Sequence, residues 1–183
     1  MGAIIWQKQT TMNTTGGGAV MGSFPYPRNG ILKIDYEFIL IFKKQGKAPT
    51  PNADQKKCSE MTKEEWNTYF ASHWNFGGAK QDGHIAVFPE ELPHRLIKMF
   101  SFVGETVFDP FMGSGTTALA ARNLLRSSIG YEINPDYKKF YEEKVTSSLS
   151  FCTTEYIYRK DSSLFDIHQK VNTLPYIFRD PHK

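Results

Sequence analysis

Val107-Phe108-Asp109-Pro110-Phe111-Met112-Gly113-Ser114-Gly115-Thr116-Thr117 carries an apolar run into a carboxylate and then into a Gly-x-Gly turn. Ala118-Leu119-Ala120-Ala121-Arg122 follows, a segment with high helix propensity. A strand, a loop and a helix N-terminus in this order suit a nucleotide-like ligand. Glycines let the backbone approach such a ligand closely, because no Cβ intervenes. A second carboxylate, Glu132, ends the short apolar run Ile129-Gly130-Tyr131. At the tip of the next parallel strand it is placed to accept both hydroxyls of a ribose. A lone Gly-x-Gly is often only a structural turn, and a lone strand-end Glu is often only solvated. The eleven-residue string with Glu132 downstream favours an adenosine-containing cofactor instead.

Several elements must position these residues. Ala3-Ile4-Ile5-Trp6 and residues 31–34 and 36–42 read as strands. Residues 10–18, rich in Thr, Asn and Gly, read as a loop, as do the Pro-containing residues 48–58 and the glycine-bearing residues 75–83. Thr62-Lys63-Glu64-Glu65 fits a capping box opening a helix with Trp66, Tyr69 and Phe70 on one face. These rings, with Trp74 and Phe76, are expected in the core of that inserted helix rather than stacking on bases. A helix from residue 89 or 90 to 100 carries the stripe Leu92, Leu96, Ile97, Phe100 and ends before Gly104. Residues 106–109 form the strand before the glycine turn. A helix over 115–125, a strand over 128–132 and a helix over 136–145 follow. Tyr156-Ile157-Tyr158 reads as a strand, and the last twenty or so residues as a tail.

The chain has 183 residues, enough for one sizeable core, with 40% hydrophobic and 22% charged residues. The formal net charge of +3 permits a polyanionic partner. Cys58 and Cys152 match no metal-ligand or C-x-x-C spacing, so an inert pair in a reducing compartment is expected. Phe38-Ile39-Leu40-Ile41-Phe42 is too short to span a bilayer, and no secretion signal is read at the N-terminus. A cytoplasmic protein without membrane attachment is the expectation.

The string Asp109 to Thr117 closely resembles the D-P-F-x-G-S-G-T-T motif of amino-methylating DNA methyltransferases, which use S-adenosylmethionine to modify cytosine N4 or adenine N6. Ile129-Gly130-Tyr131-Glu132 is similar to their next motif. His84-Ile85-Ala86-Val87-Phe88-Pro89, with Leu92-Pro93 and Arg95-Leu96-Ile97, resembles the segment before the cofactor loop, and residues 36–43 resemble their hairpin strand. The order, with catalytic-side strands first and the cofactor loop later, resembles the permuted β class over residues 3–145. The implied fold is α/β, a partial Rossmann-like methyltransferase fold in permuted order. The implied ligand is S-adenosyl-L-methionine.

On this resemblance Asp109, Pro110, Phe111, Gly113, Ser114, Gly115, Thr116 and Thr117 form the cofactor loop. Asp109 lies near the amino-acid end, and Thr116 and Thr117 cap the helix or donate to the methionine carboxylate. Glu132 takes the ribose, and Phe88 and Pro89 wall the methionine side. His84 is read as structural or solvent-exposed. The His-x-Ala-x-Phe-Pro form favours cytosine N4 over adenine N6. Arg28, Lys43, Lys44, Lys47, Lys56 and Lys57 are candidate phosphate contacts to double-stranded DNA, against the alternative of a solvated basic face.

The family's catalytic D/S-P-P-Y tetrapeptide is not found, since no two prolines are adjacent. Phe24-Pro25-Tyr26-Pro27 lies on the wrong side of the first strand and takes no catalytic role. That tetrapeptide binds the amino group and stacks on the extruded base, and its strand lies beside the cofactor strand. The expectation is therefore a C-terminal portion of an enzyme, lacking the central catalytic strand and inactive alone. Residues 1–44 would finish the catalytic subdomain and 45–83 form a target-recognition or linker insertion. Residues 84–147 would bind the cofactor, with 148–183 an extension. An upstream polypeptide with the missing motif and a cognate restriction endonuclease are the expected protein partners. A non-catalytic cofactor- or DNA-binding subunit is the alternative.

Overall fold

The computed structural model describes residues 2–9, 25–26, 28–30, 34–79, 88–146 and 153–158. The chain divides into two units, Met1–Ser150 and Phe151–Lys183. The expectations for residues 10–18, 31–33, His84 and Cys152 lie outside the described residues.

The first unit begins with β1 (Ala3–Gln9), which pairs antiparallel with β2 (Tyr36–Leu40) and parallel with β3 (His73–Gly77), giving the order β2-β1-β3. Trp6 lies opposite Trp74, and Ile4 opposite Ile39. Side chains alternate across a strand, so Ile4, Trp6 and Trp74 share one buried face. Ile39, Ile41, Phe76, Phe88, Leu92, Leu96 and Met99 pack on it. Both buried indoles are satisfied: Trp6 donates to the Phe76 carbonyl at 3.1 Å and Trp74 to that of Tyr69 at 3.0 Å.

Three sequence expectations are corrected here. Residues 48–58 are not all loop, because α1 spans Ala53–Cys58. A second capping box opens it: Asn52 Oδ1 accepts from the Gln55 N–H at 2.8 Å, and Gln55 Oε1 from the Asn52 N–H at 3.0 Å. Residues 75–77 are strand, not loop. Pairing with β1 there outweighs the turn propensity of Asn75 and Gly77. Trp74 and Phe76 therefore belong to the sheet core. Trp66 and Phe70 stay largely exposed, stacked on each other at 4.3 Å. The Thr62–Glu65 capping box does form, at the start of α2 (Lys63–Tyr69).

Helix α3 (Glu91–Phe100) joins two cores. Leu92, Leu96 and Met99 face the three-stranded sheet, while Ile97 meets Ala120 and Ala121. Gly104, at φ +83°, turns the chain into β4 (Thr106–Asp109). β4 pairs in parallel with β5 (Ser127–Gly130) through α4 (Thr116–Asn123). Between them Arg126 is buried and donates to the Ser101 hydroxyl and carbonyl and the Leu124 carbonyl. After β5, α5 (Tyr137–Tyr141) runs into a π-helical turn, Glu142–Thr146. The architecture is α/β, with one mixed and one parallel sheet. Among the described residues β4 has a single strand neighbour, and Phe108, Ile129, Tyr131 and Ile133 are exposed.

In the second unit, residues 153–158 carry no regular structure, so the strand expected at Tyr156-Ile157-Tyr158 is absent. Among the described residues no strand pairs with this segment, and β-branched and aromatic propensity alone does not make a strand.

Candidate functional site

The turn between β4 and α4 is built from its own backbone. Asp109 Oδ1 accepts from the Phe111 N–H at 3.0 Å, the self-closing turn that Asp favours. The Met112 N–H donates to the Tyr131 carbonyl at 2.8 Å and the Tyr131 N–H to the Asp109 carbonyl at 3.0 Å, so the loop continues the β4–β5 pairing. The Met112 side chain covers Gly130, where a Cβ would collide with it. Gly113 (φ +53°) and Gly115 (φ +84°) both occupy the left-handed region that favours glycine.

The two glycines have different surroundings. A Cβ on Gly113 would meet nothing within 4 Å, so its α-carbon faces open space. A Cβ on Gly115 would lie 2.6 Å from Tyr141 Cδ2. Gly113 is thus the residue free to meet a ligand, and Gly115 is the one on which α5 packs.

Glu132 reaches across from the end of β5. Its Oε2 accepts from the Gly113 N–H at 2.8 Å and its Oε1 from the Asn134 N–H at 2.7 Å. Gly113 and Glu132, 19 residues apart in sequence, form one site. Each carboxylate oxygen keeps a second lone pair, and Glu132 is exposed.

The N-cap of α4 is Gly115, and no side chain caps this helix. The first N–H groups of α4 therefore have no capping side chain, an arrangement that suits an anion. The expectation that Thr116 or Thr117 caps the helix is corrected. Thr116 is buried in the first turn, and its hydroxyl accepts from Lys144 Nζ at 3.2 Å. Ser114, also buried, accepts from the same ammonium at 2.7 Å. Burial lowers the pKa of Lys144, with the Glu90 charge opposing.

The other candidates are dispersed. Pro110 is exposed, Phe111 is 87% exposed at the loop tip, and Thr117 is half-buried. Phe88 packs on the three-stranded core, and the Pro89 carbonyl accepts from the Leu92 N–H at 3.1 Å, at the entry to α3. Arg28 is exposed, as are Lys43, Lys44 and Lys47 on the coil after β2 and Lys56 and Lys57 in the last turn of α1. No motif marks Lys144 or Tyr141, Met112 fills only the variable position of one, and the π-helical turn that aims Lys144 inward has no sequence signature of its own.

The chain is 42% identical over 148 residues to the Type II methyltransferase M.MjaI of Methanocaldococcus jannaschii, covering 78% of this chain and 48% of that protein. It is 35% identical over 157 residues to the Type II methyltransferase M.MthZI of Methanothermobacter thermautotrophicus, covering 80% and 43%. The chain thus spans about half the length of these relatives. Among solved structures it is similar to a protein of Thermus thermophilus described as a putative DNA modification methylase and crystallised with S-adenosyl-L-methionine. The TM-score is 0.68 at 32% identity, over 86% of this chain and 57% of that one. The PvuII cytosine-N4-specific DNA methyltransferase shares the fold at a TM-score of 0.50 and 18% identity. The family model for DNA methylases of the N6/N4 type matches residues 2–143, and the chain belongs to that family.

Proposed function

We propose that this chain is the cofactor-binding portion of an enzyme that moves a methyl group from S-adenosyl-L-methionine to an exocyclic amino group in double-stranded DNA. One observation carries the reading: the Glu132 carboxylate is hydrogen-bonded to the N–H of Gly113, inside the glycine turn. A carboxylate held there, with unused lone pairs, is an acceptor for paired ribose hydroxyls. The open space beside Gly113 and the side-chain-free N-terminus of α4 fit the rest of the ligand.

When bound, the cofactor supplies an electrophilic methyl. The chain's own residues bind and orient. Glu132 accepts from the ribose, and the first N–H groups of α4, with Thr117 beside them, face the methionine carboxylate. Asp109 and Pro110 set the turn, and Phe111, Gly113 and Gly115 form the loop under the ligand. Phe88 and Pro89 close the methionine side and exclude water. No residue of this chain takes the catalytic role, because the D/S-P-P-Y tetrapeptide is not in it. That tetrapeptide is assigned to an upstream polypeptide, so the isolated chain transfers no methyl group. The exposed Phe108, Ile129 and Tyr131, beside a β4 with one strand neighbour among the described residues, support a further polypeptide there.

Cytosine N4 is the preferred target, on the His84–Pro89 form alone. Arg28, Lys43, Lys44, Lys47, Lys56 and Lys57 supply salt-sensitive phosphate contacts. Residues 1–44 complete the catalytic subdomain, 45–83 hold target recognition, 84–147 bind cofactor and 148–183 extend the chain. The relatives' Type II assignment supports a restriction–modification setting with a cognate endonuclease, and acting on DNA supports a cytoplasmic location. The missing tetrapeptide also supports a second reading, a non-catalytic subunit that presents cofactor or DNA to a partner.

Calorimetric titration of S-adenosylmethionine into the chain, alone and with the upstream polypeptide, tests the proposal. Saturable binding in either preparation is expected. A folded chain with no affinity in both would overturn it. Both readings expect labelled-methyl transfer to DNA only in the two-part mixture, and an upstream reading frame ending in the Pro-Pro-Tyr motif supports the split enzyme over the binding subunit.

A further inference from the structure

Lys144 stands apart from every motif, yet its ammonium reaches into the glycine turn. It donates to Ser114 Oγ at 2.7 Å and to Thr116 Oγ1 at 3.2 Å. These two hydroxyls flank Gly115, the left-handed N-cap of α4. Ser114 and Thr116 are 7% and 8% exposed, so loss of the ammonium would leave two largely buried hydroxyls without this partner. Ser114, Phe140, Glu143 and Lys144 line an open pocket of about 350 Å³ on this side of the turn.

The element that presents Lys144 is itself held in place. A π-helical turn over Glu142–Thr146 widens the backbone, and such turns recur at functional sites. Arg122 of α4 donates a hydrogen bond to the Val145 carbonyl, clamping the turn on the helix. The buried Val145 side chain and the Tyr141 ring fill the space against Gly115. The electrostatics point the same way. A cation at a helix N-terminus is unfavourable, and an anion bound at that terminus relieves the conflict.

We propose that Lys144 is a positioning residue for the cofactor loop: its ammonium anchors the Ser114 and Thr116 hydroxyls, so that Gly113 to Thr116 meet an anionic nucleoside ligand in a preset shape. This rests on the cofactor reading above. Lys144 does not itself touch the ligand. It lowers the cost of ordering the turn on binding.

The test is calorimetric binding of S-adenosylmethionine to the chain in whichever preparation the unaltered protein binds, with thermal unfolding followed in parallel. Lys144→Met is expected to weaken binding about tenfold, the loss of a charge-assisted anchor. Lys144→Arg should restore it to within about threefold, since a guanidinium can reach both hydroxyls. Ser114→Ala should weaken binding by itself and add nothing in the Lys144→Met background, because the two changes break one contact. Should Lys144→Met fail to fold, Ser114→Ala and Lys144→Arg still decide the matter. Unchanged affinity in Ser114→Ala, additive losses in the double variant, or an Lys144→Arg protein no better than Lys144→Met would each overturn the role. If the unaltered chain binds nothing in either preparation, the cofactor reading fails first and takes this role with it.

Discussion

Glu132 serves two functions with one carboxylate. It ties the end of β5 to the glycine turn through the Gly113 N–H, and it offers its remaining lone pairs outward. Glu132→Ala is therefore expected to weaken S-adenosylmethionine binding by about 1–3 kcal/mol, read by calorimetry. Equal affinity would remove Glu132 from the site. The two positive-φ glycines should separate cleanly. Gly115→Ala forces a methyl into the Tyr141 ring and strains the backbone, a combined cost of about 2–4 kcal/mol in denaturant unfolding. Gly113→Ala meets open space, so only the backbone term of about 1–2 kcal/mol applies to stability. Its larger effect should fall on ligand affinity, because the methyl enters the space assigned to the ligand. The opposite ranking in unfolding would mean that α5 does not pack on the turn.

At the scale of elements, two reciprocal capping boxes, Asn52–Gln55 and Thr62–Glu65, start α1 and α2. Helices this short are marginal without such caps and tertiary contacts. Gln55 donates to the Val103 carbonyl at 3.0 Å, and Ser59 accepts from the Val103 N–H at 2.8 Å, fastening α1 to the approach to β4. Thr62→Ala should cost about 1 kcal/mol in chemical denaturation.

Glu65 also pairs with Lys98 of α3. The Lys98 hydrogen bond, then that to the Thr62 N–H, holds its carboxyl below the usual glutamate pKa. A depressed folded-state pKa gives stability that is complete above the unfolded value, near ~4.3. That contribution is lost as pH falls through the folded value. Glu65→Gln can keep the capping box but not the charge. Its stability should therefore fall less steeply below about pH 4.3 than that of the unaltered chain. Parallel acid-unfolding curves would rule out this contribution from Glu65.

On the scale of the whole molecule, the described residues of the first unit include exposed apolar side chains on both sheets. The face of the three-stranded sheet bearing Ile4, Trp6 and Trp74 is buried, while Tyr36, Phe38 and Leu40 at alternate positions of β2 are exposed, with Phe42 beyond them. Phe108 and Ile129, opposite each other in β4 and β5, are exposed as well. Apolar surface of this kind promotes association. The chain alone is expected to bind an apolar fluorescent dye and to self-associate with rising concentration. Adding the polypeptide that supplies the missing tetrapeptide should lower both signals as methyl transfer appears. Undiminished dye binding in an active mixture would mean that the partner docks elsewhere.

The strand, glycine turn and helix of the site were legible in the sequence because their chemistry is local. Positive φ selects Gly113 and Gly115, helix propensity selects 118–122, and a carboxylate ends the next strand. The α/β class was implied by the family resemblance that these residues carry. The second helix is marked by Thr62 and Glu65, while the equally local Asn52–Gln55 box is hidden by the prolines around it. What depended on distant partners was not legible. Residues 75–77 became strand through β1, and Trp74 became core through Trp6. Thr116 lost the capping role to become an acceptor for Lys144, which a π-helical turn delivers 28 residues later. Local backbone preferences are written residue by residue. Strand partners, buried hydroxyl contacts and the direction of a lysine are decided only when the chain closes on itself.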